Sequence, residues 1–533
     1  MDLSSGLTRR QVLGILGKTA GATVMYHAMT SLGFAAETPH SAANFSLQGA
    51  PKGKSVLILG AGVAGMTAAY ELRRAGYTVK ILEFREKAGG RVWTLRGGDV
   101  FTELGGATQK VGFDSGLYLN PGPWRIPYHH HAILAYAKKF GVQLEPFVQV
   151  NYNAFVHNTN AYGGKPQRYR TIQADYQGHI AELLAKSVNQ GALDQELTAE
   201  DKEKLLDSIS RFGALDKKTM RYVASEECSM RRGFDIDPGG GLMPEQKFSQ
   251  PLPRKALIES RLWRYIASGQ NYEFQSAIFQ PVGGMDMIAQ AFAKQLKGII
   301  RFNAKVTSIQ QSTQGVTVSY EDIASPGTIL REAADYCVCT IPLSVLSQIP
   351  MNVNARLTKA IRSVPYDSSV KIGLQFKRRF WEEDEHIYGG ISYTNTPIST
   401  IGYPACDYGK PGKGVLLGAY IWGPNAYEFT SMLPEQRVMK ALEFGALIHP
   451  QYKKEFDTGV SVGWHRVPWT HGCYGLWTEE TREKYYNDLC AVDNRIVLAG
   501  EHASFIPAWQ EGAVLSAQDA ITRLHSHILA QKT

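Results

Sequence analysis

Hydrophobic positions along this chain change period repeatedly, and each change marks an element. Ser55–Leu59 and Thr78–Leu82 are short apolar runs of the kind that buried strands need, and Met66–Ala75 between them carries helical spacing. Phe279–Leu296 predicts a glycine turn and then an amphipathic helix with residues 285, 288, 292 and 296 on one face. Arg301–Ile309 and Gly315–Tyr320 read as strands, the second alternating Val316, Val318 and Tyr320. Tyr336–Ile341 and Arg495–Ala499 read as buried strands, and a closing helix spans Gly512–Leu529. Lys371–Phe376 and Val415–Trp422 add strands in a region rich in Trp and Tyr, whereas His179–Gly191 and Thr198–Phe212 are polar helical patterns. The class is α/β. A doubly wound domain is expected over 52–108, 278–345 and 490–530, split by a mixed-sheet domain over 109–165, 265–277 and 346–489 and a helical insert over 166–264.

The first strand runs into Gly60-Ala-Gly62-Val-Ala-Gly65, and the second ends at Glu83. This strand–turn–helix–strand order is what a dinucleotide-binding fingerprint requires. Gly60 permits the tight turn, Gly62 lets backbone N–H groups approach a pyrophosphate, and Gly65 lets the helix pack on the strand. Glu83 stands where a carboxylate accepts ribose hydroxyls. Downstream, Gly89-Gly90 permits a second close backbone approach, and Arg91 supplies a fixed cation for phosphates.

A formal charge of +8 over 533 residues, without a Lys/Arg run, excludes a nucleic-acid binder. Residues 1–35 read as an export leader: Thr8-Arg9-Arg10-Gln-Val-Leu13 is a twin-arginine pattern, and Gly33-Phe-Ala35 offers small residues for cleavage. Lys18 and His27 interrupt its apolar stretch, so it makes a poor membrane span. Residues 37–53 then look like a draped arm. Six cysteines form no disulfide ladder or zinc spacing, and Cys337 and Cys339 are expected to point apart. His129-His-His131 would fan around a helix, so no metal site is expected.

From residue 54 to 525 the chain resembles the flavin-containing amine oxidase family. The resemblance rests on GAGVAG, Gly89-Gly90-Arg91, Leu104-Gly-Gly-Ala107, Phe279-Gln-Pro-Val-Gly-Gly-Met285 and Ala499-Gly-Glu-His502, with Ala508-Trp509-Gln-Glu-Gly-Ala513. It implies FAD held at Gly60, Gly62, Ala64, Gly65, Glu83, Phe84, Arg85, Gly90, Arg91, Gly105, Gly106, Ala107, Trp124, Arg125, Val306, Gly500, Glu501, Trp509, Gly512 and Ala513. The doubly wound domain is then the FAD-binding domain. No second GxGxxG is present, so electrons are expected from an organic substrate rather than NAD(P)H. Asn120-Pro-Gly-Pro-Trp-Arg125-Ile-Pro127 resembles the loop of the L-amino acid oxidases, in which the arginine forks onto the substrate carboxylate.

That resemblance implies Lys371 as the catalytic lysine that assists reaction with oxygen. It places Tyr403, Ala508 and Trp509 with Arg125 around the substrate. Gly472-Cys473-Tyr474 matches only part of the covalent-flavin segment of amine oxidases, so FAD is expected to be noncovalent. The implied reaction is oxidation of an L-amino acid by O2 to a 2-oxo acid, ammonia and hydrogen peroxide. An amine or polyamine oxidase, an amide-forming amino acid monooxygenase and a non-catalytic flavin-binding protein are the alternatives. Export by the twin-arginine route to the periplasm or medium is expected, as is a homodimer, which no motif specifies. Specificity is expected from the helical insert and from residues 225–285, with Cys228–Asp237 and Met285 at the pocket.

Overall fold

Five short apolar segments, drawn from distant parts of the chain, assemble into one parallel sheet. The computed structural model describes residues 45–531; the leader read at 1–35 lies outside them. The strands lie in the order Ile300–Arg301, Thr78–Leu82, Ser55–Leu59, Tyr336–Cys339, Ile496–Leu498, and every pairing is parallel. Numbered along the chain this is 3-2-1-4-5, the doubly wound order. Its direction of winding reverses between Ser55–Leu59 and Tyr336–Cys339, and a ligand crevice opens there beyond the carboxyl ends. Parallel strands are covered on both faces, which is why Tyr336–Cys339, and even Ile496–Leu498 at the sheet edge, are buried throughout.

One face packs against the helices Val63–Ala75, Asp286–Gln295 and Gln510–Ala530, through Met66, Leu72, Ile288, Phe292, Val514 and Ile521 among others. The apolar positions 285, 288, 292 and 296 are all buried, as their spacing predicts. The other face packs against Ala355–Arg362 and the antiparallel meander Ala304–Gln311, Val316–Asp322, Ile329–Ala334. The outer strand, Ile329–Ala334, escapes the hydrophobic pattern because it is largely exposed. Cys337 and Cys339 belong to this same layer, correcting the expectation that they point apart: positions two apart in a pleated strand share a face. All six cysteines are free.

A seven-stranded sheet forms the second layer, in the order Gln167–Arg168, Phe155–His157, Ile391–Thr394, Thr400–Gly402, Gly414–Trp422, Ser369–Phe376, Phe456–Gly463. Ser369–Phe376 runs between two antiparallel neighbours and is buried at every position, Lys371 included. Helices Gly423–Ser431 and Pro434–Gly445 pack on this sheet. The helix Tyr169–Asn189 begins ten residues before the predicted His179. Buried Asp175 accepts from Arg232 and Tyr222, and Gly178 lies against the Tyr222 ring, so tertiary contacts extend a helix whose pattern is weak. No described helix is long and apolar enough to cross a membrane.

Arg437 and Glu103, each about 2% exposed, form a two-pronged ion pair at 2.7 and 2.8 Å that fastens the hairpin Val100–Lys110 to the helix Pro434–Gly445. Arg437→Met leaves a buried carboxylate uncompensated and should cost about 3–5 kcal/mol, read as a lower midpoint of urea unfolding. Adding Glu103→Leu should recover part of that loss. A double variant as unstable as the sum of the single ones would contradict the account.

Candidate functional site

The crevice at the winding reversal is the mouth of a cavity of about 2320 Å³. That exceeds the roughly 300–1,000 Å³ of an ordinary ligand pocket and suits a dinucleotide with a second molecule beside it. Its floor is built from glycines whose absent side chains are geometrically required. A Cβ on Gly65 would lie 2.0 Å from the Gly60 carbonyl oxygen, and one on Gly60, at φ 101°, would lie 2.7 Å from Thr340 Oγ1 on the adjacent strand. Gly62 is different: nothing lies within 4 Å of its Cβ position. It is the N-cap of Val63–Ala75, and no side chain caps that helix. The helix therefore presents its N-terminal amides to the cavity, the arrangement that receives phosphate. Gly89 donates to the Ala61 carbonyl at 2.8 Å, laying Gly89-Gly90 against the first turn.

Glu83 closes the second strand and lines the cavity. Its carboxylate accepts from the Ala61 N–H at 2.6 Å and the Arg85 N–H at 2.9 Å. Burial pushes its pKa up, against the pull of these two donors. Arg91 donates to Glu501 at 2.6 Å and to the Cys473 carbonyl at 3.0 Å. Burial opposes the Arg91 charge, but Glu501 outweighs it and the pKa is raised. Glu501 also accepts from the N–H groups of Gly475 and Ala508.

The far end of the cavity carries the Asn120–Pro127 loop, which is held rigidly. Trp464 Nε1 donates to the Pro121 carbonyl at 2.8 Å, and Lys371 Nζ donates to the carbonyls of Gly122 at 2.6 Å and Asn120 at 3.3 Å. Asn120 Oδ1 accepts from Thr94 and from the Met285 N–H. Beyond the loop, the Glu511 carboxylate accepts the N–H groups of Ala132 and Ile133, capping His131–Lys139 from the closing helix. Arg125 emerges from this frame with its guanidinium carbon 4.3 Å from the Phe274 ring centre, 5.4 Å from Trp124 and 5.9 Å from Trp509. Ala508, in the left-handed region at φ 68°, turns the chain into Trp509.

Lys371 is about 1% exposed, with Nζ 4.4 Å from the Tyr420 ring centre. Burial first, then repulsion from Arg125, lowers its pKa to about 7. A neutral amine has two N–H groups, and two carbonyls receive them.

The cavity brings together Gly60, Gly62, Ala64, Glu83, Phe84, Gly90, Arg91, Trp124, Arg125, Val306, Gly500, Glu501, Ala508, Trp509 and Ala513. Other residues singled out in the sequence do not line it. Gly65 and Gly512 are packing glycines, and Gly105–Ala107 turn the Val100–Lys110 hairpin. Arg85 stacks on Trp93 and Trp469. Lys371 is not itself a lining residue, and meets the wall through the loop carbonyls and the rings of Tyr420 and Trp124. Tyr403 is not a lining residue: its hydroxyl is taken by Ser392 and His449 at 2.7 and 2.6 Å in the core of the seven-stranded sheet. Tyr393, on the neighbouring strand, lines the cavity instead. Met285 and Cys228 are core residues, and from 225–285 only Ser268, Glu273 and Phe274 reach the cavity. Glu273, Gln149 and Tyr393 carry no motif, so nothing in the linear pattern marks them. Among the described residues no cluster of His, Cys, Asp or Glu could hold a metal ion.

The profile of the family described as flavin containing amine oxidoreductase matches residues 63–524. An L-amino-acid oxidase of Siganus canaliculatus is 31% identical over 482 residues, 89% of this chain and 86% of that one. An L-amino-acid oxidase of Bungarus fasciatus is 27% identical over 480 residues, 88% and 86% of the two chains. Among solved structures, putrescine oxidase bound to putrescine aligns with a TM-score of 0.55 at 18% identity, over 91% of this chain and all of its own, a likeness of fold.

The two central glycines should separate cleanly by substitution. Gly65→Ala drives a methyl into the Gly60 carbonyl and should prevent folding. Gly62→Ala meets open space and should fold, with flavin dinucleotide affinity reduced about tenfold or more. Equilibrium binding to the refolded apoprotein reads the second effect, and unchanged affinity would remove Gly62 from the cradle.

Proposed function

Because this chain belongs to the flavin-containing amine oxidoreductase family, we propose that it oxidises L-amino acids: amino acid, O2 and water give 2-oxo acid, ammonia and hydrogen peroxide. Membership makes the cofactor a flavin. The cavity suits FAD in its volume, its uncapped helix N-terminus, its open Gly62 and the Glu83 carboxylate. When bound, the flavin supplies the acceptor for the substrate's α-hydrogen and the route of electrons to dioxygen.

The observation that carries the substrate class is Arg125, fixed on a proline-rich loop among three aromatic rings. A guanidinium binds a carboxylate through two parallel hydrogen bonds and holds its charge at any working pH. Trp124, Phe274 and Trp509 exclude water around it, strengthening the attraction and fixing which face of the α-carbon is presented. The same desolvation favours the neutral amine over the ammonium form, which loss of the α-hydrogen requires. Tyr393, close enough to Arg125 for the guanidinium to lower its pKa against the rise from burial, takes the position read for Tyr403. Lys371 serves the reaction with oxygen and at the same time holds the Arg125 loop.

FAD is bound noncovalently in this reading. Burial pushes the Cys473 thiol up to about 12, leaving little thiolate to attack a flavin methyl group. Export through the twin-arginine leader, which lets a protein cross with its cofactor in place, belongs to the same proposal, as do the homodimer and the domain boundaries stated above.

Arg125→Ala should lower kcat/KM for amino acids about 100-fold, two charge-assisted hydrogen bonds' worth, while simple amines change little. Equal losses on both would rule out the carboxylate anchor. Lys371→Met should slow reoxidation by O2 in stopped flow more than anaerobic flavin reduction, and the reverse order would withdraw its role with oxygen. Acid precipitation should leave flavin in the supernatant; flavin in the pellet would mean a Cys473 linkage.

A further inference from the structure

One titratable group in the cavity has no task in the reaction as described. Glu273 sits in the single turn Tyr272–Phe274, lines the cavity and is about 4% exposed. Burial pushes its pKa up to about 7, against the pull of its own backbone N–H and of the Arg125 charge, so near neutral pH it is poised between carboxylic acid and carboxylate. Gln149, about 5% exposed and also lining the cavity, has a buried Oε1 with no hydrogen-bond partner. Around them the wall is stiff: Tyr393 stacks on Tyr265 with ring centres 5.4 Å apart and receives the Ser268 hydroxyl at 3.0 Å.

Two buried acceptors at the Arg125 end of one cavity call for a donor-rich partner. The charges specify it further. Once a substrate carboxylate occupies Arg125, the cation that compensates Glu273 is spent, and burial drives Glu273 toward its neutral acid. Beside a neutral or acidic side chain it stays protonated and gains no ion-pair partner. A side chain ending in an ammonium or guanidinium restores the carboxylate, pairs with it and supplies hydrogen to Glu273 and Gln149 together. Arg125 and Glu273 are thus placed to hold the two ends of one molecule.

We propose that Glu273, with Gln149, is the specificity-determining site, and that the enzyme prefers L-amino acids with a cationic side chain, the L-lysine, L-ornithine and L-arginine class. This rests on the amino acid oxidase reading above. The test is peroxide formation by the purified holoenzyme with L-lysine, L-arginine, L-leucine and L-glutamate, for the wild type and for Glu273→Gln. The wild type should favour the two basic substrates. Glu273→Gln should lower their kcat/KM at least about 30-fold, mainly through KM, and leave L-leucine within about threefold.

Equal losses on L-lysine and L-leucine, or a wild type indifferent to side-chain charge, would overturn the proposal and leave the oxidase reading standing. Oxidation of amines but of no amino acid would overturn both. A wild-type measurement stands independent of any variant: ε-aminocaproate should inhibit competitively at about a tenth of the concentration caproate needs, and equal potency would contradict the site.

Discussion

The Arg91 guanidinium and the Glu501 carboxylate, 410 positions apart, meet at 2.6 Å on the wall of the cavity. Glu501 is buried and Arg91 half-buried, and a buried carboxylate without its cation costs several kcal/mol. Their remaining hydrogen-bonding capacity goes to the Cys473 carbonyl and to the N–H groups of Gly475 and Ala508. Three chain segments therefore converge on one ion pair. The glycine-rich turn, the segment around Cys473 and the start of the closing helix are positioned by the same contact, and the cavity exists only where they meet.

From that junction the cavity runs in two directions that ask for different chemistry. Toward the parallel sheet, glycines, uncapped amides and Glu83 make a surface that main-chain atoms dominate, suited to phosphate and ribose. Toward the seven-stranded sheet, aromatic rings surround Arg125, and orientation of a small substrate becomes the task. Lys371 joins the two layers: it rises from a fully buried inner strand of the large sheet and grips the loop that presents Arg125. Burial holds its pKa near 7, so the grip does not depend on a full charge.

The dinucleotide end was legible in the sequence because its demands are local. A turn that excludes Cβ atoms, a helix N-terminus and an acidic strand end follow one another within thirty residues. The parallel strands were legible for a similar reason, since burial on both faces leaves continuous apolar runs. The substrate end was legible only through the Arg125 motif. Tyr393 lies on the strand Ile391–Thr394 and Tyr403 directly follows its partner strand Thr400–Gly402, with similar surroundings in the linear pattern, and only the pairing of these strands sends one hydroxyl to His449 and the other ring to the cavity. Glu273 lies in a turn of three residues with no periodicity, so its burial beside Arg125 is a tertiary fact. The early start of Tyr169–Asn189 is another, set by Asp175 and its partners.

The central claim is that this cavity pairs a flavin with the carboxylate of an L-amino acid. Anaerobic mixing of the purified holoprotein with single compounds, followed by the flavin's visible absorption, tests it most directly. The account predicts rapid bleaching by L-amino acids, and none by the corresponding D-forms or by amines that lack the carboxylate. Bleaching by the amines at a rate equal to that with the L-amino acids would contradict it.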